Sequence, residues 1–306
     1  MEENKLTING KILEFSSNKN IKQSIIIGTA QLGGNYGISN YNSNYEMSSR
    51  IKFLDFSYKN GFHSYDTAYA YNNSHKIIGE WIHKTNYSPK IYSKIPKLNN
   101  ANMEKIKSIF NLSLQQLKLQ NMEGLLLHYP NDWLNNNIRT FIKDLLKNNL
   151  INSFGLSIYS ENDLHEDNNI NIIQAPGNIF NQEIFTSNKI NNFYLNKGEI
   201  HIRSIFIQGL LLMKQSDIPK KLDELKKPLY YLHNYAKEMN IDIASLAILC
   251  VKKLMPKAKI IIGLDNIDQI KDLTKIEDKV IKNSDIDEII SFGQKYKNKL
   301  WDPRNW

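Results

Sequence analysis

Apolar residues in this chain come in short, nearly unbroken runs, separated by stretches in which they recur at helical spacing. Ser24-Ile25-Ile26-Ile27-Gly28-Thr29-Ala30 is the first such run. Its lack of polar alternation suits a strand buried on both faces of a parallel sheet. Helical spacing then covers Glu46–Lys59 and stops at Asn60-Gly61, a helix-ending signal. The rhythm repeats, with strands over Phe62–Asp66, Lys90–Lys94 and Gly124–His128 and helices over Ser74–Lys84, Met103–Lys118 and Leu134–Asn148. Ile151–Ser157, Asn171–Gln174 and Glu199–Ile205 read as the next three strands. After them come helical segments through Met239 and over Ile243–Leu254, the strand Lys259–Gly263, and a final helix pair at Ile267–Thr274 and Ile286–Lys297.

Eight strand-and-helix units with no break in composition predict an α/β fold: a closed (β/α)8 TIM barrel forming a single domain over 1–306. A doubly wound sheet shares the local rhythm but wants a dinucleotide fingerprint after its first strand. Gly28-Thr29-Ala30-Gln31-Leu32-Gly33 lacks that spacing. Gly33, Gly34 and Gly37 make the following loop permissive, without the Lys-Ser/Thr ending of a phosphate cradle. Ahead of the barrel, Asn9-Gly10 between two alternating runs signals a β-hairpin, so residues 1–23 are expected to form a hairpin and loop plugging the closed end.

Composition narrows the partners. The chain is 41% hydrophobic and 23% charged, the balance of a soluble globular protein. Its net charge of +8 is spread out rather than gathered with aromatics, so no nucleic-acid footprint is expected. Cys250, the one cysteine, lies in an apolar run and reads as a small core residue, which leaves no internal disulfide and no cysteine metal site. No run approaches the ~20 apolar residues of a membrane span, and the charged start Met1–Lys5 has no apolar stretch after it. A cytoplasmic protein, monomeric or a small homo-oligomer, is expected.

Chemistry in such a barrel belongs at the C-terminal ends of the strands. Those positions hold Asp66, Lys94, His128, Ser157, Gln174, Arg203-Ser204 and Gly263, with Tyr71 five residues past Asp66. A carboxylate, an ammonium, a phenol and an imidazole thus converge on one mouth. A phenol titrates near pKa ~10 and gives up its proton reluctantly. A nearby Lys94 ammonium is expected to lower that value, with Asp66 holding the ammonium in place. His128 can orient a carbonyl oxygen. Together the four suit protonation of an oxygen that becomes an alkoxide as hydride arrives, and hydride requires a cofactor. Blander readings stand beside this one. Lys94 and Lys97 can be surface lysines, although Lys94 closes an apolar strand. Alone, His128 reads better as a satisfied core histidine, and Ser157 and Gln174 as loop formers. His63, His165, His201 and His233 read as structural or surface residues.

Asp66-Thr67-Ala68-x-x-Tyr71, Lys94 after a strand and His128 after Leu125-Leu126-Leu127 resemble the Asp/Tyr/Lys/His tetrad of the aldo-keto reductases. Phe154-Gly155-Leu156-Ser157, Gln174-x-x-x-Asn178, Arg203-Ser204-x-x-x-Gln208-Gly209-Leu210-Leu211 and Ile261-Ile262-Gly263 fall in that family's order, from Gly28 to about Gln269. The resemblance implies a (β/α)8 barrel, no metal, and reduction of a small-molecule aldehyde or ketone with NADP or NAD as cofactor. Tyr71 would be the general acid, Lys94 and Asp66 its modulators, and His128 the substrate orienter. Ser157 and Gln174 match holders of the nicotinamide carboxamide, and Arg203 falls where an aromatic commonly stacks on the nicotinamide. Ser204, Gln208, Gly209, Gly263, Asp265 and Gln269 complete the implied cofactor site.

Three departures matter. Asn72-Asn73-Ser74-His75 replaces the usual Gly-x-Ser-Glu, so a Glu is missing, while Ser74 can still cap the next helix. Gly177 replaces an aromatic, which implies a wider pocket. Leu264-Asp265-Asn266 stands where NADPH-preferring members carry Lys or Arg, and a carboxylate there favours NADH. A sugar or keto-sugar substrate is consistent with a polar pocket. Two other readings remain open: a non-catalytic nicotinamide-binding regulatory subunit, and an epimerase or lyase that retains its cofactor. The loop from Ile207 to Pro219 and the tail Trp301–Trp306 are expected to shape the pocket or a contact, or, for the tail, to pack back on the barrel.

Overall fold

In the computed structural model, residues 5–8, 11–14, 21–34, 46–98, 102–196, 198–278 and 281–306 are described. At the N-terminus β1 (Lys5–Ile8) and β2 (Lys11–Glu14) pair antiparallel with Lys5 opposite Glu14. The hairpin is therefore present, while its Asn9-Gly10 turn and its place as a plug lie outside the described residues.

Eight further strands are parallel: β3 (Ile25–Gly28), β4 (Ser64–Asp66), β5 (Lys90–Ile95), β6 (Met122–Leu127), β7 (Ile151–Ser157), β8 (Ile172–Pro176), β9 (Glu199–Arg203) and β10 (Lys259–Gly263). They close in the order β10-β3-β4-β5-β6-β7-β8-β9, so no sheet edge remains in the barrel. Gly28 sits opposite both Gly263 and Asp66, and Ser157 opposite Gln174. The expected strands are all found, with ends shifted by a residue or two. The seventh stops at Arg203 because Ser204 takes φ 62, which the extended backbone cannot continue.

Apolar side chains divide between two cores. Ile26, Tyr92, Leu126, Ile172 and Ile261 fill the barrel interior. A larger cluster, including Trp81, Phe110, Phe154 and Ile248, lies between strands and helices. The surrounding helices are α1 (Met47–Lys59), α2 (Ser74–Thr85), α3 (Met103–Leu117), α4 (Asn136–Lys147), α5 (Glu183–Thr186), α6 (Asn188–Leu195), α7 (Lys226–Glu238), α8 (Ile243–Leu254), α9 (Ile267–Thr274) and α10 (Asn283–Lys295). Asn60 and Gly61 end α1 as expected, with Gly61 at φ 94. Helices α5 and α6 lie outside the elements read from sequence. The first is a single turn, and the second is short and rich in Asn, a poor helix former. A Ser187 side chain that accepts from the Ile190 amide starts it.

Among the described residues no helix is long and apolar enough to cross a membrane, and no cluster of His, Cys, Asp and Glu could hold a metal ion.

Candidate active site

The loop after β4 is laced to β5 through its backbone. Thr67 donates its amide to the Tyr92 carbonyl at 2.8 Å, and Tyr69 donates to that of Lys94 at 3.1 Å. Three hydroxyls hold it from beneath. Ser74 Oγ lies 2.8 Å from Thr29 Oγ1 and 3.0 Å from Thr67 Oγ1, and Thr29 also donates to the Asp66 carbonyl at 2.9 Å. On its other side the loop rests on Gly33, where a Cβ would sit 2.1 Å from the Tyr71 carbonyl oxygen. This backbone contact excludes a side chain and sets the position of Tyr71.

Asp66 and Lys94 are both buried and form an ion pair, with Nζ 2.7 Å from Oδ1 and 2.6 Å from Oδ2. Lys94 also donates to the Thr67 carbonyl at 3.0 Å. Gln174, on the far side of the barrel, donates to Asp66 Oδ1 at 2.7 Å. The carboxylate thus has partners on two fronts, as a buried charge requires. The ammonium lies 5.2 Å from the centre of the Tyr71 ring, whose edge meets His128 with ring centres 6.0 Å apart. All four groups are therefore neighbours, as the strand-end reading expected.

The acidity of the phenol departs from expectation. Burial pushes the Tyr71 pKa up, the Asp66 charge adds to this, and Arg203 pulls the other way. The phenol keeps its proton at neutral pH instead of being primed to lose it. Burial, followed by the Lys94 charge, holds His128 at about 4, so its imidazole is neutral.

Two local expectations are also corrected. Ser74 does not cap α2. Asn73 occupies the cap position with no side-chain bond, and the Ser74 hydroxyl is committed to Thr29 and Thr67. Gly177 does not widen the pocket either, because a Cβ there would meet the buried Phe185 ring at 2.6 Å. At the position of the missing Glu, His75 is buried. It shares a 2.9 Å hydrogen bond with Ser93 and is held neutral at about 4 by burial and then by Lys94.

A cavity of about 1030 Å³ opens above the ion pair. Asp66, Tyr71, Gln174, Arg203, Ser204, Gln208, Gly209, Gly263, Asp265 and Gln269 all line it. Lys94, His128 and Ser157 are not among its lining residues and stand one layer behind: Lys94 is bonded to Asp66, His128 meets the Tyr71 ring, and Ser157 is the register partner of Gln174. The loop after β9 carries unusual backbone. Ser204, Ile207, Gln208 and Gly209 have φ of 62, 53, 54 and 96, and a β-branched Ile207 there is strained. Leu212, Met213, Lys214 and Asp217 extend this wall, so the loop from Ile207 does shape the pocket.

Several walls escaped the sequence reading. Gln31 reaches over Gly263, where a Cβ would lie 2.3 Å from its Nε2. Asp242 and Ser245 bring the start of α8 to the cavity, and Asp242 caps that helix by accepting from the Ser245 amide at 2.7 Å. The signal was legible there, since Asp three residues before Ser at the head of an apolar helix is a capping pattern. The tail also folds back. Trp301 is buried and stacks on Phe180 with centres 4.0 Å apart.

Comparison with known proteins follows the same line. A model of the aldo/keto reductase family matches residues 24–293. Similar solved structures include an aldo/keto reductase from Klebsiella pneumoniae in complex with NADP and acetate, at TM-score 0.69 and 14% identity, covering 90% of this chain and 94% of that one. The glycerol dehydrogenase AKR11B4 from Gluconobacter oxydans gives 0.69 and 16%, covering 95% and 96%. An aldo-keto reductase of the silkworm, Bombyx mori, gives 0.66 and 14%, covering 98% and 92%. At these identities the likeness is one of fold. No curated protein sequence matches the chain.

Proposed function

The chain belongs to the aldo/keto reductase family, and from that premise we propose that it reduces the carbonyl of a small aldehyde or ketone, with NADP or NAD as cofactor and Tyr71 as proton donor. The observation that carries this reading is the buried Asp66–Lys94 pair beside the Tyr71 ring and His128, at the floor of a cavity on the C-terminal side of the strands.

The cavity suits a dinucleotide. Its volume is that of a large ligand site, and its walls alternate amide and hydroxyl groups from Gln174, Ser204, Gln208, Ser245 and Gln269. Gly209 and Gly263 bring backbone close to the lumen. Gln174, Ser204, Gln208 and Gln269 would hold the cofactor together with Ser157, Arg203 and Asp265. When bound, the nicotinamide supplies the hydride. The remaining work falls to this chain. Neutral His128 offers an N–H to the carbonyl oxygen, and Tyr71, kept protonated by burial, passes its proton to that oxygen as negative charge grows there. Lys94 stabilises the phenolate left behind, and Asp66 keeps the ammonium oriented. Because the phenol is a weak acid before hydride arrives, proton delivery is tied to the build-up of alkoxide charge.

Tyr71→Phe is expected to lower turnover by about 10²–10⁴-fold, the range of general acid catalysis, while fluorescence titration finds cofactor affinity nearly intact. Substantial residual turnover would overturn the role given to Tyr71. We further infer tolerance of NADH from half-buried Asp265, which lines the cavity where a 2′-phosphate would meet its carboxylate. In competitive titration Asp265→Ala should gain affinity for NADPH relative to NADH. Much tighter NADPH binding by the unaltered protein, with no response to the substitution, would sink that inference.

A further inference from the structure

Arg203, which lines the cavity, and Arg304, far apart in sequence, share one aromatic ring. The Arg203 guanidinium carbon lies 4.4 Å from the centre of the Tyr159 ring and that of Arg304 lies 3.7 Å from it. Tyr159 follows the end of β7 and is 39% exposed. Arg203 closes β9 and lines the cavity with Tyr71. Arg304 comes from the tail that buried Trp301 anchors.

We propose that the substrate carries an anionic group, a carboxylate or a phosphate, bound by Arg203 and Arg304 at the edge of the Tyr159 ring. This rests on the reductase reading. Of the carboxylates nearby, Asp302 is paired with Arg304 itself, accepting from Nε at 2.8 and 3.0 Å, from Nη2, and from the Arg304 amide at 3.0 Å, which leaves the Nη1 donors and one Nη2 N–H of that fork for a ligand. Asp163 accepts the amides of Tyr159 and Ser160 at 2.8 and 3.0 Å. Arg203 has no carboxylate at ion-pair distance among the described residues. It donates from Nη2 to the Ile158 carbonyl at 3.2 Å and from Nη1 to Ser204 Oγ at 3.5 Å. A guanidinium has five N–H donors, so most of the Arg203 fork remains for a ligand. Stacking on a ring occupies its face and leaves the in-plane donors that suit two-pronged binding of carboxylate or phosphate. Its charge already reaches the reacting groups, since it opposes protonation of His128 and favours ionisation of Tyr71.

The test compares kcat/KM for matched pairs: 4-oxobutanoate against butanal, and glyceraldehyde 3-phosphate against glyceraldehyde. A charged hydrogen bond of this kind should favour the anionic member by about tenfold or more. Preference in the first pair alone assigns a carboxylate, and in the second alone a phosphate. Arg304, 53% exposed on its side chain, can be replaced without disturbing the core. Arg304→Gln should move the charged-to-neutral ratio toward one, and Arg304→Lys should restore part of it. A merely structural role would lower both members together. Equal kcat/KM within both pairs, or a ratio unmoved by Arg304→Gln, overturns the proposal. If no aldehyde is reduced, the reductase reading fails. The anion site is then read by calorimetric titration with succinate and glycerol 3-phosphate: binding that disappears in Arg203→Gln supports it, and absence of binding overturns it.

Discussion

The same four kinds of side chain occur at both ends of the barrel interior. Toward the C-terminal ends of the strands stand Asp66, Lys94, Tyr71 and His128. Toward the opposite end stand Glu199 and Lys259, which begin β9 and β10, with His201 of β9 and Tyr92 of β5. In the second set Lys259 Nζ pairs with Glu199 at 2.7 Å and donates to the Tyr92 hydroxyl at 2.8 Å. His201, fully buried, shares a hydrogen bond with Glu199 and meets the Tyr92 ring edge-on at 4.8 Å. Burial alone would push Glu199 up, but His201 and Lys259 hold it down at about 2. These groups spend their bonds on one another over the packed layer of Ile26, Leu126, Ile172 and Ile261. The first set opens on a cavity through Asp66 and Tyr71. Residue type therefore does not make the site; an open face at the strand ends does.

That contrast is broken most directly by treating the two lysines alike. Lys94→Met should abolish most turnover and, by leaving Asp66 buried without its cation, cost about 3–5 kcal/mol. Lys259→Met should cost less, because Glu199 is partly exposed and keeps His201, and should leave kcat nearly unchanged. Urea midpoints and steady-state rates on both variants decide the matter. Comparable loss of kcat in the two would show that position is not what separates the ends.

Acid should sharpen it. His75 and His128 have folded pKa values of about 4, below the ordinary 6.5, so the unfolded chain binds more protons between those values. Their contribution is complete above about pH 6.5 and declines as pH falls toward 4, on the order of 3 kcal/mol for buried His75. Glu199, lowered from 4.5 to about 2, holds its contribution above 4.5 and loses it toward 2. Burial lowers the pKa of His201 as well, so thermal melts should fall first through the buried histidines of both ends and later through Glu199. His75→Asn should flatten the first decline. A first decline unchanged in that variant counts against the assignment.

Two glycines give the smallest effects. Gly33→Ala presses a Cβ on the Tyr71 carbonyl, so the loop must shift and turnover should fall more than stability does. Gly124→Ala meets the Tyr92 ring at 2.6 Å and should cost about 1–3 kcal/mol of stability with little change in kcat. Equal effects on kcat would contradict the division between the ends.

The strands were legible because residues buried on both faces leave uninterrupted apolar runs, as in Ile25-Ile26-Ile27 and Lys259-Ile260-Ile261-Ile262. Their ends followed to within a residue or two, and with them Asp66, Lys94 and Gln174. Short α5 and α6 escaped because one or two turns leave too little periodicity to detect.

By itself the sequence determined the strand rhythm, the barrel and the residue types waiting at its mouth, because those depend on spacing along the chain. Tertiary structure alone decided that a second cluster of the same residue types closes on itself over a packed layer. It also decided that Ser74 ties hydroxyls instead of capping, that Phe185 fills the space beside Gly177, and that Tyr71 becomes a weaker acid than free phenol. Each of those outcomes depends on burial and on partners brought close by closure of the sheet, such as Gln174 on Asp66 across 108 positions. Desolvation and the pairing of Lys94 by Asp66 are properties of three-dimensional proximity, which no local pattern encodes.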